Sequence, residues 1–241
     1  PASVQPCELG DDLQTLAAEY EQITQQVARL KTQIRQQVHA LFPELASSSS
    51  LFSQRILGLL LAFPSAHAIA KATPAQLEAA CTDLPSGRRS RITAQSLYDS
   101  ACASIGFSTR QREAVLQSKI RQLQHLVQES SIIRNALIRA VRTAHPTTWR
   151  LLLSIPGVGQ ISAALFLAQV RSLSRFPSHR QLSAFIGFDP TTYESGQFKG
   201  QGHISKRGSP HLRRTLYLMA QSVARYSNTF RLYLTQLRDR G

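Results

Sequence analysis

The chain has 241 residues, 42% of them hydrophobic, and a formal net charge of +14. That composition can fill one large or two modest cores, and no window approaches the roughly eighteen uninterrupted apolar residues of a membrane-spanning helix. The first twenty residues are polar and acidic, without a signal-peptide pattern, and Cys7, Cys81 and Cys102 lack the close spacing of a zinc or redox motif, which points to reduced thiols in a cytoplasmic protein.

The charge is unevenly placed. Residues 1–50 carry three basic and six acidic side chains, a balance of −3, whereas residues 151–241 carry twelve basic and three acidic, a balance of +9. This asymmetry predicts a polyanionic partner, nucleic acid, at the carboxyl-terminal end.

Residues 11–41 predict one long helix. Leu13, Leu16, Tyr20, Ile23, Val27, Leu30 and Ile34 alternate three and four apart, and Val38 and Leu41 extend the series. Such a seam serves a coiled coil or one arm of a helical hairpin. Pro43 and the serine run 47–50 end it. Residues 51–104 predict short helices broken by Pro64, Pro74, Pro85 and Gly87.

A second long helix is predicted over about 108–143. Ser108 and Gln111 have capping-box spacing, and Leu116, Ile120, Leu123, Val127, Ile133, Leu137 and Val141 form its apolar stripe. The two stripes either pack on each other in an antiparallel arm or each face a globular core. Residues 1–146 are thus predicted to be a helical linker bearing this arm, and 147–241 a compact helical domain. The fold class is mainly α.

The second part predicts helices near 147–154, 160–172 and 178–186, a glycine-rich loop over 187–208, and a last helix from about 210. Ser209 supplies its cap and Pro210 its first position. The run IPGVG, residues 155–159, has the helix-hairpin-helix pattern. Gly157, Val158, Gly159 and Gln160 would present backbone amides to a DNA phosphate at a helix start, although similar hairpins also serve only for packing.

In the glycine-rich loop Ser195 stands between Glu194 and Gly196, which places it on an exposed turn. A nucleophilic serine needs a base and cations to stabilise developing charge. Glu194, Asp189, His203 and His211 are the nearby titratable groups, but Asp189-Pro190 is a turn signal and both histidines suit phosphate contact or solvent exposure. Spacing alone therefore leaves Ser195 either a turn residue or a nucleophile. Lys199, Lys206, Arg207, Arg213 and Arg214 follow it with no intervening carboxylate and are the candidate nucleic-acid contacts. On the last helix Leu212, Leu216, Met219 and Val223 mark the buried side.

The succession IPGVG, QLSAFIGFDP, YESG and ISKRGSPHLRRTLY resembles the carboxyl-terminal domain of the DEDD-type insertion-sequence transposases of the IS-one-ten group, which includes the pilin-gene invertase. The resemblance is close over about 150–241 and looser over the preceding helical part. It implies that Ser195, in the Ser-Gly motif, is a covalent nucleophile toward a DNA phosphate. It also implies a RuvC-like domain with four acidic metal ligands, a magnesium requirement in the parent protein, and assembly into a homo-oligomer, here through the coiled-coil arm. Some members use a structured guide RNA from the element, a second nucleic-acid partner. The setting is prokaryotic, cytoplasmic and, on DNA, nucleoid-associated.

The RuvC-like part is not evident. No strand-rich acidic segment precedes the first long helix, and Asp11 and Asp12 are read as favouring a helix dipole. The chain opens Pro1-Ala2-Ser3, and its sole methionine is Met219. The expectation is a partial transposase that binds no metal itself. The alternative is a non-catalytic DNA-binding module or truncated regulator of the full-length transposase.

Overall fold

The computed structural model describes residues 6–82, 93–191, 194–195, 198–199 and 203–239. It is mainly α. Helix α1 (Pro6–Leu41) starts ahead of the expected position near 11, with Pro6 opening it, so Asp11 and Asp12 lie inside the helix. Phe42 leaves helical geometry at φ −159°, as a residue before proline must, and Pro43 opens α2 (Pro43–Ala46).

Helices α3 (Gln54–Ala62), α4 (Ala66–Lys71), α5 (Pro74–Thr82) and α6 (Ala94–Cys102) follow. Ser53, Ser65 and Thr93 cap α3, α4 and α6, Thr93 in a reciprocal box with Ser96. Helix α7 (Arg110–Ala144) is capped by Thr109, whose Oγ1 accepts from the Arg112 amide at 3.3 Å. The capping residue is thus one position beyond Ser108.

The chain packs as two compact units, Gln22–Ser131 and Pro1–Glu21 with Ile132–Gly241. The halves expected from sequence are 1–146 and 147–241, read from the succession of predicted helices. Packing cuts across them inside α1 and α7, because each long helix supplies apolar residues to both cores.

In the unit 22–131, Leu30, Ile34, Val38 and Leu41 of α1 share a core with Leu116, Ile120 and Leu123 of α7, joined by Ile56, Leu59 and Leu60 of α3. The Phe107 amide donates to the Ala40 carbonyl at 2.9 Å and Lys119 Nζ to Gln33 Oε1 at 2.8 Å, so this stretch of α7 runs antiparallel to α1. The heptad stripe is therefore covered within the chain here, and a second copy could not reach it without opening this core. Ser65, fully buried, donates to Glu113 Oε1 at 2.6 Å.

The other unit is built around α9 (Gln160–Val170). Ala163, Ala164, Phe166, Leu167, Ala168 and Val170 are all buried, as expected of a helix apolar on every side. Around it lie Leu13 and Ala17 of α1, Leu137 and Val141 of α7, Trp149 of α8 (Pro146–Leu153), and Leu212 and Met219 of α11 (Pro210–Tyr226). Val127 of α7, expected in the stripe, is instead exposed.

Helix α10 (His179–Ile186) precedes the glycine-rich segment, and α12 (Asn228–Asp239) packs on α11 without burying any residue. The segment predicted as a loop contains four two-residue strands: β1 (Pro190–Thr191), β2 (Glu194–Ser195), β3 (Phe198–Lys199) and β4 (His203–Ile204). No helix is long and apolar enough to cross a membrane among the described residues.

Candidate nucleic-acid interface

Helices α8 and α9 pack together across the turn 154–159. Gly157 adopts φ +98°, and a Cβ there would stand 2.7 Å from the Ser222 carbonyl oxygen of α11. This glycine is required by backbone angle and by close approach together. Gly159 differs: it is the exposed N-cap of α9, in extended geometry, with nothing within 4 Å of an added Cβ. Gln160 beside it is exposed too, and Val158 is half-buried against the core. A helix start without a side-chain cap leaves amide donors pointing outward.

The described residues of the glycine-rich segment form two antiparallel ladders. Pro190 pairs with Ile204 and Thr191 with His203 in the outer ladder; Glu194 pairs with Lys199 and Ser195 with Phe198 in the inner one. Ser195 thus lies in the inner ladder opposite Phe198, and Lys199 lies across from Glu194. Gly196, expected beside it at the turn, lies outside the described residues. The expected loop becomes a ribbon because residues far apart in the chain meet in register.

The base of this ribbon is tightly fastened. Gly187, left-handed at φ +81°, ends α10, and a Cβ on it would stand 2.7 Å from the Gly208 nitrogen. The Lys206 amide donates to the Gly187 carbonyl at 3.1 Å, and the Ser205 amide to that of Asp189 at 2.8 Å. The Ser205 hydroxyl also donates to the Asp189 carboxylate. Asp189, expected as a turn residue, therefore holds the two edges together.

The candidate cations divide into two kinds. Arg213 is half-buried, and its Nη1 donates to the carbonyls of Ile186 at 3.0 Å and Gly208 at 2.7 Å. It bridges the end of α10 to the start of α11. Lys206, Arg207 and Arg214 are exposed. Lys206 does so from a left-handed backbone at φ +55°, unusual for a residue with a side chain. Ser209 caps α11 as expected, accepting from the Leu212 amide at 3.3 Å and donating to Gln169 Oε1 at 3.1 Å.

Two tethers had no sequence signal, since their partners are remote in the chain. Glu21 of α1 accepts from His211 Nδ1 at 2.6 Å. Burial holds the Glu21 carboxyl above its ordinary value, against the attraction of His211 and Arg214. At the far end of α9, Arg171 pairs with Asp11 and donates to Gln14 Oε1 at 2.9 Å. Asp11 thus meets a specific cation rather than a helix dipole.

No three His, Cys, Asp or Glu side chains gather to hold a metal ion among the described residues.

Residues 149–235 match a family model described as Transposase IS116/IS110/IS902 family. The matched stretch takes in the α8–α9 turn, the ribbon and its fastening, and all of α11. An insertion element IS110 protein of Streptomyces coelicolor is 33% identical over 115 residues, 48% of this chain and 28% of that protein. The transposase for insertion sequence element IS1111A of Coxiella burnetii is 42% identical over 73 residues, 30% of this chain and 20% of its own length. The transposase for element IS1328 of Yersinia enterocolitica is 36% identical over 78 residues, 32% and 23% of the two chains. The chain thus matches less than a third of the length of each relative.

Proposed function

We propose that this chain supplies the serine-bearing part of a DNA transposase. The observation that carries the reading is a coincidence of boundaries. The residues that match a transposase family, 149–235, are those that hold the ribbon with Ser195, its fastened base and the exposed cations beside it.

In this reading the Ser195 oxygen attacks a DNA phosphorus. The oxygen–phosphorus bond forms while the bond to one sugar oxygen breaks, the serine proton passes to a base, and the departing sugar oxygen takes up a proton. Attack by a second sugar hydroxyl later releases the serine and rejoins the strand. Lys199, Lys206, Arg207 and Arg214 neutralise backbone phosphates, and the amides of Val158, Gly159 and Gln160 hold another at the start of α9, as in a helix-hairpin-helix. Gly157 and Arg213 position these groups through their backbone contacts. Magnesium chemistry, a RuvC-like domain and a guide RNA belong, in this reading, to the whole transposase. Assembly of subunits would use surfaces other than the covered part of the α1 stripe.

The test is covalent trapping. The chain is incubated with element-end DNA and magnesium, with and without the remainder of the transposase, and a protein–DNA adduct is sought. The expected adduct disappears in Ser195→Ala. Salt-dependent DNA binding with no adduct under either condition would overturn the nucleophile and leave a DNA-binding module or regulator.

A further inference from the structure

A second basic feature lies away from the ribbon in the chain, where α7 meets α8. A cavity of about 480 Å³ is lined by Arg142, Pro146, Trp149, Arg150, Leu153 and Ser154. Pro146, Trp149 and Leu153 give it an apolar wall, and Trp149 is otherwise buried in the core at 6% exposure, so this wall is anchored. Arg142 and Arg150 are exposed, and neither guanidinium makes a hydrogen bond or ion pair with a described residue. No Asp or Glu occurs in the sequence between Glu129 and Asp189, so local chain offers these cations no internal partner. The Ser154 hydroxyl, donating to the Leu151 carbonyl at 2.8 Å, keeps its lone pairs available.

Two free guanidinium groups beside an anchored apolar wall select a ligand with both an anionic and a flat apolar part. The volume is within the roughly 300–1,000 Å³ range of small-ligand sites. A nucleotide has that form: phosphate for the planar, multiply donating arginines, and a base for the Trp–Pro–Leu wall. A base stacked and paired in a duplex has no free face to offer, whereas an unpaired one does. We infer that the α7–α8 cavity binds one unpaired nucleotide unit of a nucleic-acid strand, the phosphate held by Arg142 and Arg150 and the base lying against Pro146 and Leu153 beside the cavity-lining edge of Trp149. The inference does not depend on chemistry at Ser195.

Trp149 is the only tryptophan of the chain, so its emission reports on this cavity directly. The full chain is titrated with a single-stranded tetranucleotide, a duplex of the same sequence, a nucleoside monophosphate and inorganic phosphate. A saturable change in Trp149 emission is expected with the tetranucleotide, at lower concentration than with any other probe. The paired substitution Arg142→Gln, Arg150→Gln should weaken that affinity roughly tenfold or more, as loss of charged hydrogen bonds does. The charge-matched pair Arg134→Gln, Arg139→Gln should have a smaller effect, and circular dichroism should show both variants folded. Equal losses in the two pairs would reduce the effect to general electrostatics and overturn the site. So would an emission change that inorganic phosphate reproduces, or none at all. Equal affinity for the free monophosphate or the duplex would overturn the assignment to an unpaired strand.

Discussion

Gly157 lies directly against Ser222: a Cβ on the glycine would stand 2.7 Å from the serine carbonyl oxygen, with φ at +98°. The α8–α9 turn is thereby seated on the backbone of α11. Gly157→Ala must strain the backbone and part the turn from the helix. Its expected cost is about 3 kcal/mol, combining backbone strain and overpacking, read from urea unfolding. Gly159→Ser should behave oppositely. It faces open space in extended geometry, where serine is a good N-cap, so stability should hold or rise slightly. Its hydroxyl would occupy the amides proposed for a phosphate, so DNA affinity should fall. Unchanged affinity in a binding titration would remove this turn from the interface.

The difference between these two glycines marks what sequence can convey. IPGVG announces a turn between helices, and the structure has helices ending at Leu153 and resuming at Gln160. It does not say that Gly157 meets Ser222, because a backbone contact has no side-chain signature. The stripes of α1 and α7 were legible through their periodicity; that the Leu30–Leu41 part packs on Leu116–Leu123 of the same chain required the topology. The ribbon was least legible. Two-residue strands set between glycines are too short to show an alternation, and Pro190 finds Ile204 only when the base is closed by Gly187, Gly208 and Arg213. Arg213 and Arg214 look alike in sequence, and only the carbonyls of Ile186 and Gly208 separate them.

That separation gives the second prediction. Arg213→Ala would leave the Ile186 and Gly208 carbonyls without their shared donor and loosen the base of the ribbon. A loss of about 2 kcal/mol is expected, visible in thermal melting before any DNA is added. Arg214→Ala removes an exposed cation and should leave the melting temperature nearly unchanged. Its DNA affinity should fall similarly for all sequences, with the salt dependence reduced by roughly one unit of slope. If Arg213→Ala melted like the parent, the fastening would not be structural.

Glu21 and His211 look like an ordinary ion pair, yet burial outweighs attraction at this carboxylate. A carboxyl held above its ordinary value of 4.5 contributes fully to stability below that pH, and the contribution is lost as pH rises through the raised native value. Glu21→Gln retains an acceptor for His211 Nδ1–H without a buried charge. The variant should therefore gain stability relative to the parent as pH rises from below 4.5 to neutrality. Melting temperatures across that range check the sign. A relative loss at neutral pH would mean that the pair with His211 and Arg214 prevails.

His145, at the junction of α7 and α8, is shifted the other way. Partial burial disfavours its imidazolium and holds its pKa below the ordinary 6.5. In the unfolded chain the imidazole takes up a proton as pH falls past 6.5, while the native one resists. The native state therefore keeps its full stability above that value and loses some of it as pH drops toward the lowered native pKa, below which the loss levels off. The imidazole caps nothing: α8 begins at Pro146 without a side-chain hydrogen bond from His145, whose backbone carbonyl accepts from Trp149 at 2.9 Å. His145→Gln removes the titration and keeps that backbone contact. Stability of the parent minus that of the variant should be constant above pH 6.5 and decline below it. A flat difference through this range would show that the native environment does not oppose the imidazolium.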